Sequence, residues 1–257
     1  MKYTYGGYCD IGYSRKVNED FIDTVELGEH TVFSIVADGA GSLPGALQPA
    51  SIVCSEILYA VRRVYGESKD LFLSNPGLFL KEAMHTANRV LGAFKLGNEE
   101  RYSGYGASVT CCLLDEQERF TFAHAGNTRF YLIRTNPKDH VPAILQLSRD
   151  HTKAQKMLEE GTLLAEQYYG HPDRLRMTSG LGISTDPLIQ TYTTKLKSSD
   201  ILLITSDGVH YAIRPDAMMN LVLKTGNCND AARTLVEAAK FEKYADNMSA
   251  MLVYCSP

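Results

Sequence analysis

The sequence has no tryptophan, only 9 prolines among its 257 residues, and no apolar run long enough to cross a membrane. A membrane-spanning helix needs about 20 consecutive apolar residues, so no membrane partner is expected. No internal repeat, low-complexity tract or Pro/Ser-rich linker divides the chain, which predicts a single domain over residues 1–257. The first seven residues lack the apolar core of a signal peptide, so we expect a cytoplasmic protein.

The sequence also lacks an excess of basic residues and any pattern of paired cysteines. It has 26 Lys and Arg against 30 Asp and Glu, a net charge of −4, and a nucleic-acid partner would normally require a basic stripe. The six cysteines include no CxxC pair, and no histidine spacing near them suggests zinc. We therefore expect buried free thiols. Cys111 and Cys112 are adjacent in an apolar run, so on a strand they would point to opposite faces.

The hydrophobic pattern predicts strands and helices in blocks. Strands are predicted over 31–37, 108–114, 120–125, 129–134, 201–205 and 249–254. The second, third and fourth of these are expected to form an antiparallel meander, because short turns separate them. Helical spacing of apolar residues predicts helices over 46–65, 78–94, 151–160 and 230–240, the last capped by Asp230. This arrangement favours an α+β fold with helices packed on antiparallel sheets.

Acidic residues stand next to several of these predicted strands. Asp38 and Asp207 each follow an apolar strand and precede a glycine, and Asp246 precedes the terminal strand. Glu19 and Asp20 stand just before Phe21 and Ile22, near the start of the first strand of the chain. Carboxylates at strand ends converge when the strands belong to packed sheets, and oxygen ligands favour Mg²⁺ or Mn²⁺. Taken singly, an Asp-Gly pair after a strand is most often only a turn, so the joint pattern predicts a metal site without naming a substrate.

Seven short motifs occur in one order along the chain. They are Ser14–Asp20 (SRKVNED), Val36–Ser42 (VADGAGS), Gly106–Ser108 (GAS), Ala123–Arg129 (AHAGNTR), Leu147–Thr152 (LSRDHT), Thr205–Gly208 (TSDG) and Asp246–Ser249 (DNMS). This ordered set resembles the metal-dependent PPM (PP2C-type) serine/threonine protein phosphatase family, most closely its compact bacterial members, over about residues 12–253. The resemblance implies a β-sandwich of two antiparallel sheets flanked by helices, in α-β-β-α layers.

The resemblance also implies a ligand set for two divalent cations, Mn²⁺ or Mg²⁺. Asp38 would bridge both cations, and the Gly39 carbonyl would bind the first. Asp207 and Asp246 would bind the second, and Glu19 would act largely through metal-bound water. The implied reaction is direct hydrolysis of phosphoserine and phosphothreonine on proteins by a water activated between the two cations.

Three further residues receive roles from the same resemblance. Arg15 would grip the substrate phosphate, a task that suits a planar guanidinium because two parallel N–H bonds fix orientation as well as position. Asp20 would be an acidic neighbour that supports the ligands, and Asn247 would orient Asp246 or close the loop behind it. Arg15 and Asp38 are thus the predicted catalytic residues.

The chain departs from the family pattern at two positions beside this site. The family usually carries Gly-Asp-Ser where this chain has Gly126-Asn127-Thr128, and that aspartate helps to bind a third cation. Asn127 offers a carbonyl oxygen but no charge, so a third cation should bind more weakly there. Ala40 stands where many relatives have a histidine that is a candidate general acid, and alanine cannot donate a proton. His124 could in principle substitute, although a structural role is expected.

The segment 161–182 corresponds to the region that forms a mobile flap beside the active site in bacterial relatives. Loops at such positions commonly tune substrate access. Tyr168, Tyr169 and Arg174 could meet a phosphopeptide there, and ordinary surface packing is the alternative.

Three functions follow from the sequence as hypotheses. The first is a protein phosphatase that acts on phosphoproteins and opposes a serine/threonine kinase. The second is a catalytically weak or inactive relative that binds phosphoproteins, which the departures at Asn127 and Ala40 favour. The third is a metal phosphodiesterase or nuclease, which the lack of a basic patch disfavours. Nothing in the sequence demands an obligate oligomer, and we expect a monomer.

Overall fold

The structure is a computed structural model that describes residues 1–41, 48–97, 100–102 and 104–256. Ser42, which ends one motif, and residues 46–47 of the first predicted helix lie outside these ranges. No helix within the described ranges is long and apolar enough to cross a membrane.

Ten strands form two five-stranded sheets in which all neighbours pair antiparallel. The first sheet has the order β1-β10-β9-β6-β7 and the second β2-β3-β4-β5-β8. The strands are β1 Lys2–Asp10, β2 Asp20–Gly28, β3 Thr31–Ala40, β4 Gly106–Leu114, β5 Arg119–Ala125, β6 Arg129–Thr135, β7 Pro142–Gln146, β8 Gln190–Lys195, β9 Ile201–Thr205 and β10 Met248–Ser256.

Helices cover the outer faces of both sheets. They are α1 Pro49–Ser74, α2 Pro76–Lys95, α3 Lys153–Glu159, α4 Ala165–Tyr168, α5 Asp207–His210, α6 Pro215–Leu223 and α7 Cys228–Phe241, with a 3₁₀ turn at Pro172–Leu175. Helices α1 and α2 pack on the second sheet, and α6 and α7 pack on the first. A third apolar cluster fills the space between the sheets. The predicted α-β-β-α sandwich is therefore confirmed.

Strand β4 shows how the alternation of side chains builds these layers. Cys111 lies in the cluster beneath α1 and α2, whereas Cys112 lies in the cluster between the sheets. Adjacent residues of a strand point to opposite faces, so both thiols are buried in different layers. All six cysteines are free, and only Cys9 is partly exposed.

The predicted meander was wrong at its third strand. Strands β4 and β5 pair as expected, but β6 joins the other sheet beside β9. The chain crosses between sheets at Gly126, which has φ +111°, and a Cβ there would lie 2.4 Å from the Ser108 Oγ. Glycine permits this crossing because it has no side chain to clash.

Two helix predictions also need correction at their ends. Helix α1 extends to Ser74, nine residues beyond the predicted end at Tyr65. Helix α7 is capped by Asn227, whose side chain accepts a hydrogen bond from the Asp230 backbone N–H. Asp230 was predicted as the cap, but it lies in the first turn, where its charge favours the positive end of the helix dipole.

The topology brings the acidic motifs to one edge of the sandwich. Asp20 begins β2 and pairs directly with Asp38 near the end of β3. In the other sheet, β9 ends just before Asp207 and β10 begins just after Asp246. The Ser206 N–H donates to the Ser249 carbonyl at 3.0 Å, so these two strand ends remain adjacent.

Candidate active site

A cleft of about 240 Å³ lies where these strand ends meet. It contains all of the residues predicted to bind cations, together with the predicted phosphate ligand. Its lining residues are Arg15, Glu19, Asp38, Gly39, Ala40, Gly41, Asn127, Leu175, Met177, Asp207 and Asp246. The structure therefore brings together side chains that are up to 231 positions apart in the chain.

Three carboxylates lie close to one another here: Asp207 is buried, and Asp20 and Asp38 are half-buried. Burial, with the nearby charges of Asp207 and Asp20, raises the pKa of Asp38 well above its usual value. Burial is also the largest cause for Asp207, followed by the charges of Asp246 and Asp20, and together they raise its pKa to about 7. Like charges that are close together in a low-dielectric site disfavour ionisation. Without a cation, the cluster therefore resists being fully charged at neutral pH.

Asp20 lies beneath the cleft, where its carboxylate accepts hydrogen bonds from two serine hydroxyls. Ser206 and Ser249 each donate to its Oδ2 at 2.7 Å. Burial nevertheless raises the pKa of Asp20 to about 7, because the two hydrogen bonds only partly offset the desolvation. These serines belong to two of the recognised motifs, but their contact with Asp20 was not predicted.

Asp207 is held by the side chain that replaces the usual third-cation ligand. Asn127 Nδ2 donates to Asp207 Oδ2 at 3.0 Å, and both residues are buried, with 3% and 6% exposure. The Asn127 backbone N–H donates to Ser108 Oγ at 2.8 Å. The amide therefore approaches Asp207 from a fixed position in the turn after β5.

Arg15 stands at the mouth of the cleft and pairs with Asp246. Its Nη2 lies 2.9 Å from Asp246 Oδ1 and 3.0 Å from Oδ2. The Arg15 side chain is 44% exposed, so it is free to turn from the carboxylate towards a ligand in solvent. A guanidinium at this exposed position suits the recognition of a phosphate.

Asn247 ties the Arg15 loop to the acidic edge. Its Nδ2 donates to the carbonyls of Ile11 and Val17 at 2.8 and 3.0 Å. Its Oδ1 accepts the Glu19 backbone N–H at 2.9 Å. The Asn247 side chain thus fixes both ends of the loop that carries Arg15; the predicted role was a different one, to orient Asp246 or to close the loop behind it.

Gly39 is required by the close approach of β2 to β3. Its N–H donates to the Glu19 carbonyl at 3.1 Å, and a Cβ on residue 39 would lie only 2.8 Å from that oxygen. A larger residue would push Glu19 away from the cleft.

The donor set fits hard divalent cations. The buried Oδ1 atoms of Asp20 and Asp207 have no hydrogen-bond partner among the described residues, and buried oxygens of this kind call for a cation or a water. Every predicted ligand atom is an oxygen, as Mg²⁺ and Mn²⁺ prefer. Within the described ranges, however, no three His, Cys, Asp or Glu side chains form a metal-binding group by themselves. The Gly39 carbonyl and waters would have to complete the coordination.

Neither position considered as a general acid supplies a proton to the cleft. Ala40 lines it without a donor. His124 is buried, with Nδ1 2.8 Å from Thr110 Oγ1 and Nε2 3.0 Å from the Arg149 carbonyl. Burial and the neighbouring His151 lower the pKa of His124 to about 3, so the imidazole stays neutral. Its two ring nitrogens connect Thr110 of β4 to Arg149 in the loop before α3.

Comparison with known proteins identifies the family. A model of the family described as protein phosphatase 2C matches residues 13–252. The chain belongs to the protein phosphatase 2C family. The predicted family and the predicted enzyme class, a protein phosphatase, are thereby confirmed.

Relatives of similar length come from bacteria. Protein phosphatase PhpP of Streptococcus pneumoniae is 26% identical over 246 residues, covering 95% of this chain and 94% of that protein. Serine/threonine phosphatase stp of Listeria monocytogenes is 26% identical over 249 residues, covering 95% and 92%.

Solved structures agree with the fold. Serine/threonine phosphatase Stp1 from Staphylococcus aureus matches with a TM-score of 0.86 at 20% identity, over 100% of this chain and 96% of that one. The catalytic domain of the serine/threonine protein phosphatase PstP, in complex with two manganese ions, matches with a TM-score of 0.76 at 20% identity, over 99% of each chain.

Proposed function

We propose that the protein hydrolyses phosphoserine and phosphothreonine in other proteins, with two divalent cations, Mn²⁺ or Mg²⁺, held in the acidic cleft. The observation that carries this proposal is the position of Arg15 beside the predicted ligands in one cleft. Asp38, Gly39, Asp207, Asp246 and Glu19 would hold the cations, as the resemblance implies. Bound cations supply Lewis acidity, which makes water a nucleophile at neutral pH and stabilises charge on the phosphoryl oxygens.

The charge balance of the cleft supports this assignment. An uncompensated group of buried carboxylates would repel a phosphate dianion, so the cleft can accept a phosphorylated substrate only when cations neutralise it. Arg15 would turn from Asp246 to the phosphate and fix the orientation of its oxygens for in-line attack. Asp20 would add negative charge at the base of the cleft, because the hydrogen bonds from Ser206 and Ser249 favour its ionised form.

The substrates would be phosphoproteins made by serine/threonine kinases, because those enzymes create the phosphate esters that this site would cleave. The whole chain, residues 1–257, would act as one phosphatase domain and as a monomer. Nucleic acid is not an expected partner, since the net charge is −4.

The test is Mn²⁺-dependent phosphate release from a phosphothreonine peptide. Asp207→Asn keeps an oxygen that can accept from Asn127 but removes the charge, so release should collapse although the protein still folds. Asp70→Asn, on the exposed face of α1, is the matched control and should leave the rate unchanged. Absence of release from folded, metal-saturated wild type would overturn the proposal and favour a phosphoprotein-binding relative. Faster release from a bis-ester than from the peptide would favour a phosphodiesterase.

A further inference from the structure

The segment 171–178 runs along the mouth of the cleft and contributes two apolar side chains to it. Leu175 ends the 3₁₀ turn, Met177 follows two residues later, and both line the cleft opposite its acidic residues. Leu175 is 51% exposed, although burial of this side chain would be favourable. An exposed leucine in the same cleft as Arg15 is placed to contact a residue that flanks a phosphorylated one.

One side of this segment is held by backbone pairing with the start of α3. The Thr178 N–H donates to the His151 carbonyl at 2.8 Å, and the Lys153 N–H donates to the Arg176 carbonyl at 2.9 Å. These bonds fix the region around Met177. They do not reach the 3₁₀ turn that carries Leu175.

The 3₁₀ turn itself has two attachments: Lys153 Nζ of α3 pairs with Asp173 Oδ2 at 2.8 Å, and Tyr211, at the end of α5, contacts Arg174. The Tyr211 hydroxyl donates to the Arg174 carbonyl at 2.9 Å. The Arg174 guanidinium in turn lies over the Tyr211 ring, 4.4 Å from its centroid, and 5.7 Å from the centroid of Tyr244. A cation over an aromatic face is attracted by the ring quadrupole, so hydroxyl and ring act on the same residue.

Both tyrosines belong to elements that carry predicted metal ligands. The Tyr211 N–H donates to the Asp207 carbonyl at 2.9 Å, so it lies one helical turn from Asp207. Tyr244 is two residues before Asp246. The contacts of Arg174 with these two tyrosines therefore connect the turn that carries Leu175 to the two segments that contain Asp207 and Asp246.

Tyr211 is itself fixed from behind by a buried ion pair. Arg129 and Asp150, each 2% exposed, form this pair, with Arg129 Nη2 2.7 Å from Asp150 Oδ2. The Arg129 guanidinium lies 5.3 Å from the centroid of the Tyr211 ring. The ring thus lies between two guanidinium groups and is 8% exposed, so its orientation is set before any substrate arrives.

We propose that Tyr211 and Arg174 form a clamp that holds Leu175 as an apolar wall beside the phosphate site, where it recognises peptides with an apolar residue next to the phosphorylated one. Tyr211 is then a positioning residue for phosphopeptides and has no part in the hydrolysis of the phosphate ester. This inference rests on the proposed phosphatase function. A small aryl phosphate, which has no flanking residues, does not depend on the clamp.

The test compares a phosphothreonine peptide with p-nitrophenyl phosphate in the Mn²⁺-loaded full chain. Tyr211→Phe removes only the hydroxyl, and Arg174→Met removes the guanidinium, with its contact to the Tyr211 ring and its hydrogen bond to the Tyr169 carbonyl. Each should lower kcat/KM for a peptide with leucine on both sides of the phosphothreonine, mainly through KM. The expected loss is about five-fold, the equivalent of one hydrogen bond. The rate with p-nitrophenyl phosphate should not change.

Two controls match these substitutions elsewhere on the surface. Tyr192→Phe removes a hydroxyl from an exposed residue of β8, and Arg233→Met removes a guanidinium that lies over Tyr8 at 4.8 Å. Neither should alter the ratio of peptide to small-ester activity. Leu175→Ser should abolish the preference for leucine-flanked over serine-flanked peptides.

Hydrogen exchange provides a readout that does not depend on activity. In wild type the Arg174 and Arg176 amides donate to His171 and Asp173 within the 3₁₀ turn. Tyr211→Phe should accelerate exchange at these two amides but not at the Thr178 amide, which donates to the His151 carbonyl in the other anchor.

Unchanged exchange together with an unchanged substrate ratio would overturn the clamp. An equal loss on both substrates would also overturn it, since Tyr211 would then act through Asp207. If wild type hydrolyses neither substrate, the proposed function has failed. In that case hydrogen exchange is the only test of the clamp, and unchanged exchange at the Arg174 and Arg176 amides of Tyr211→Phe would refute it.

Discussion

Asn127→Asp is the substitution that most directly probes the electrostatics of the cleft. It is nearly isosteric, and it keeps the backbone hydrogen bond from residue 127 to Ser108 Oγ. It removes the amide N–H that reaches Asp207 Oδ2 at 3.0 Å and puts a second carboxylate in its place. The pKa of Asp207 is already raised to about 7, chiefly by burial, so the new charge meets a carboxylate that resists ionisation.

The size of the effect follows from the lost hydrogen bond. A buried hydrogen bond to a charged group contributes about 1.5–3 kcal/mol. We therefore expect the free energy of unfolding of the cation-free protein to fall by about 2–3 kcal/mol near neutral pH, because like-charge repulsion adds to the loss. The loss should shrink as the pH falls towards about 4, where a proton shared between the two carboxylates removes the repulsion.

Cations should cancel this destabilisation. An additional carboxylate oxygen is a better ligand for a hard cation than an amide. In excess Mn²⁺ the variant should regain the stability of wild type, and its binding stoichiometry should rise from two cations to three. Urea denaturation with and without a chelator measures the first effect, and calorimetric titration with Mn²⁺ measures the second.

Asn136→Asp is the matched control, because Asn136 also donates to an aspartate, Asp139, at 3.1 Å, but on an exposed turn. Solvent screens that pair, so its loss should cost less than about 1 kcal/mol. The reasoning is refuted if Asn127→Asp, stripped of cations, is as stable as Asn136→Asp at neutral pH. An unaltered Mn²⁺ stoichiometry would refute the predicted third cation.

Three other predictions follow from the same structure. Arg15→Ala should hydrolyse a phosphopeptide more slowly yet bind Mn²⁺ more tightly by calorimetry, because Asp246 loses its cationic partner. The control Arg62→Ala, on the exposed face of α1, should change neither the rate nor the affinity. Weaker Mn²⁺ binding by Arg15→Ala would contradict this prediction. The cation-free protein should lose thermal stability as the pH rises from about 4 to about 7, because Asp20 and Asp207 keep their protons in the folded state up to about pH 7 but release them near pH 4 when unfolded. Saturating Mn²⁺ should flatten that dependence in scanning fluorimetry, and a pH-independent melting temperature with chelator would argue against it. Asp150→Ala should lower the free energy of unfolding by about 3–5 kcal/mol in urea melts, since it leaves the buried Arg129 guanidinium without its partner. A loss below about 1 kcal/mol would contradict this and show that water solvates Arg129.

The sequence pattern predicted the central strands better than the edge strands. The central strands are continuous apolar runs, such as residues 108–114 and 201–205, because both of their faces are buried. The edge strands β7 and β8 were missed, since β7 is only five residues long and β8 is largely exposed and polar. Strand β1 was missed as well; it carries two adjacent glycines at Gly6 and Gly7, and glycine weakens a strand signal.

The candidate site was predicted by motif resemblance and not by the residue pattern alone. An Asp-Gly pair after a strand has too many other uses to identify a ligand. The ordered motifs supplied Asp38, Asp207, Asp246 and Glu19, and the structure brings all four into one cleft. Their roles as ligands remain predictions that the experiments above test.

The sequence by itself determined the layers of the fold and the types of residue at the acidic edge, because apolar periodicity and short ordered motifs are local properties of the chain. The tertiary structure alone decided which of these residues touch. Asn127 meets Asp207 across 80 positions, Tyr211 meets Arg174 across 37, and Arg15 meets Asp246 across 231. Such contacts depend on how the strands of two sheets cross and pair, and hydrogen bonds of about 3 Å are not encoded in the spacing of residues along one chain.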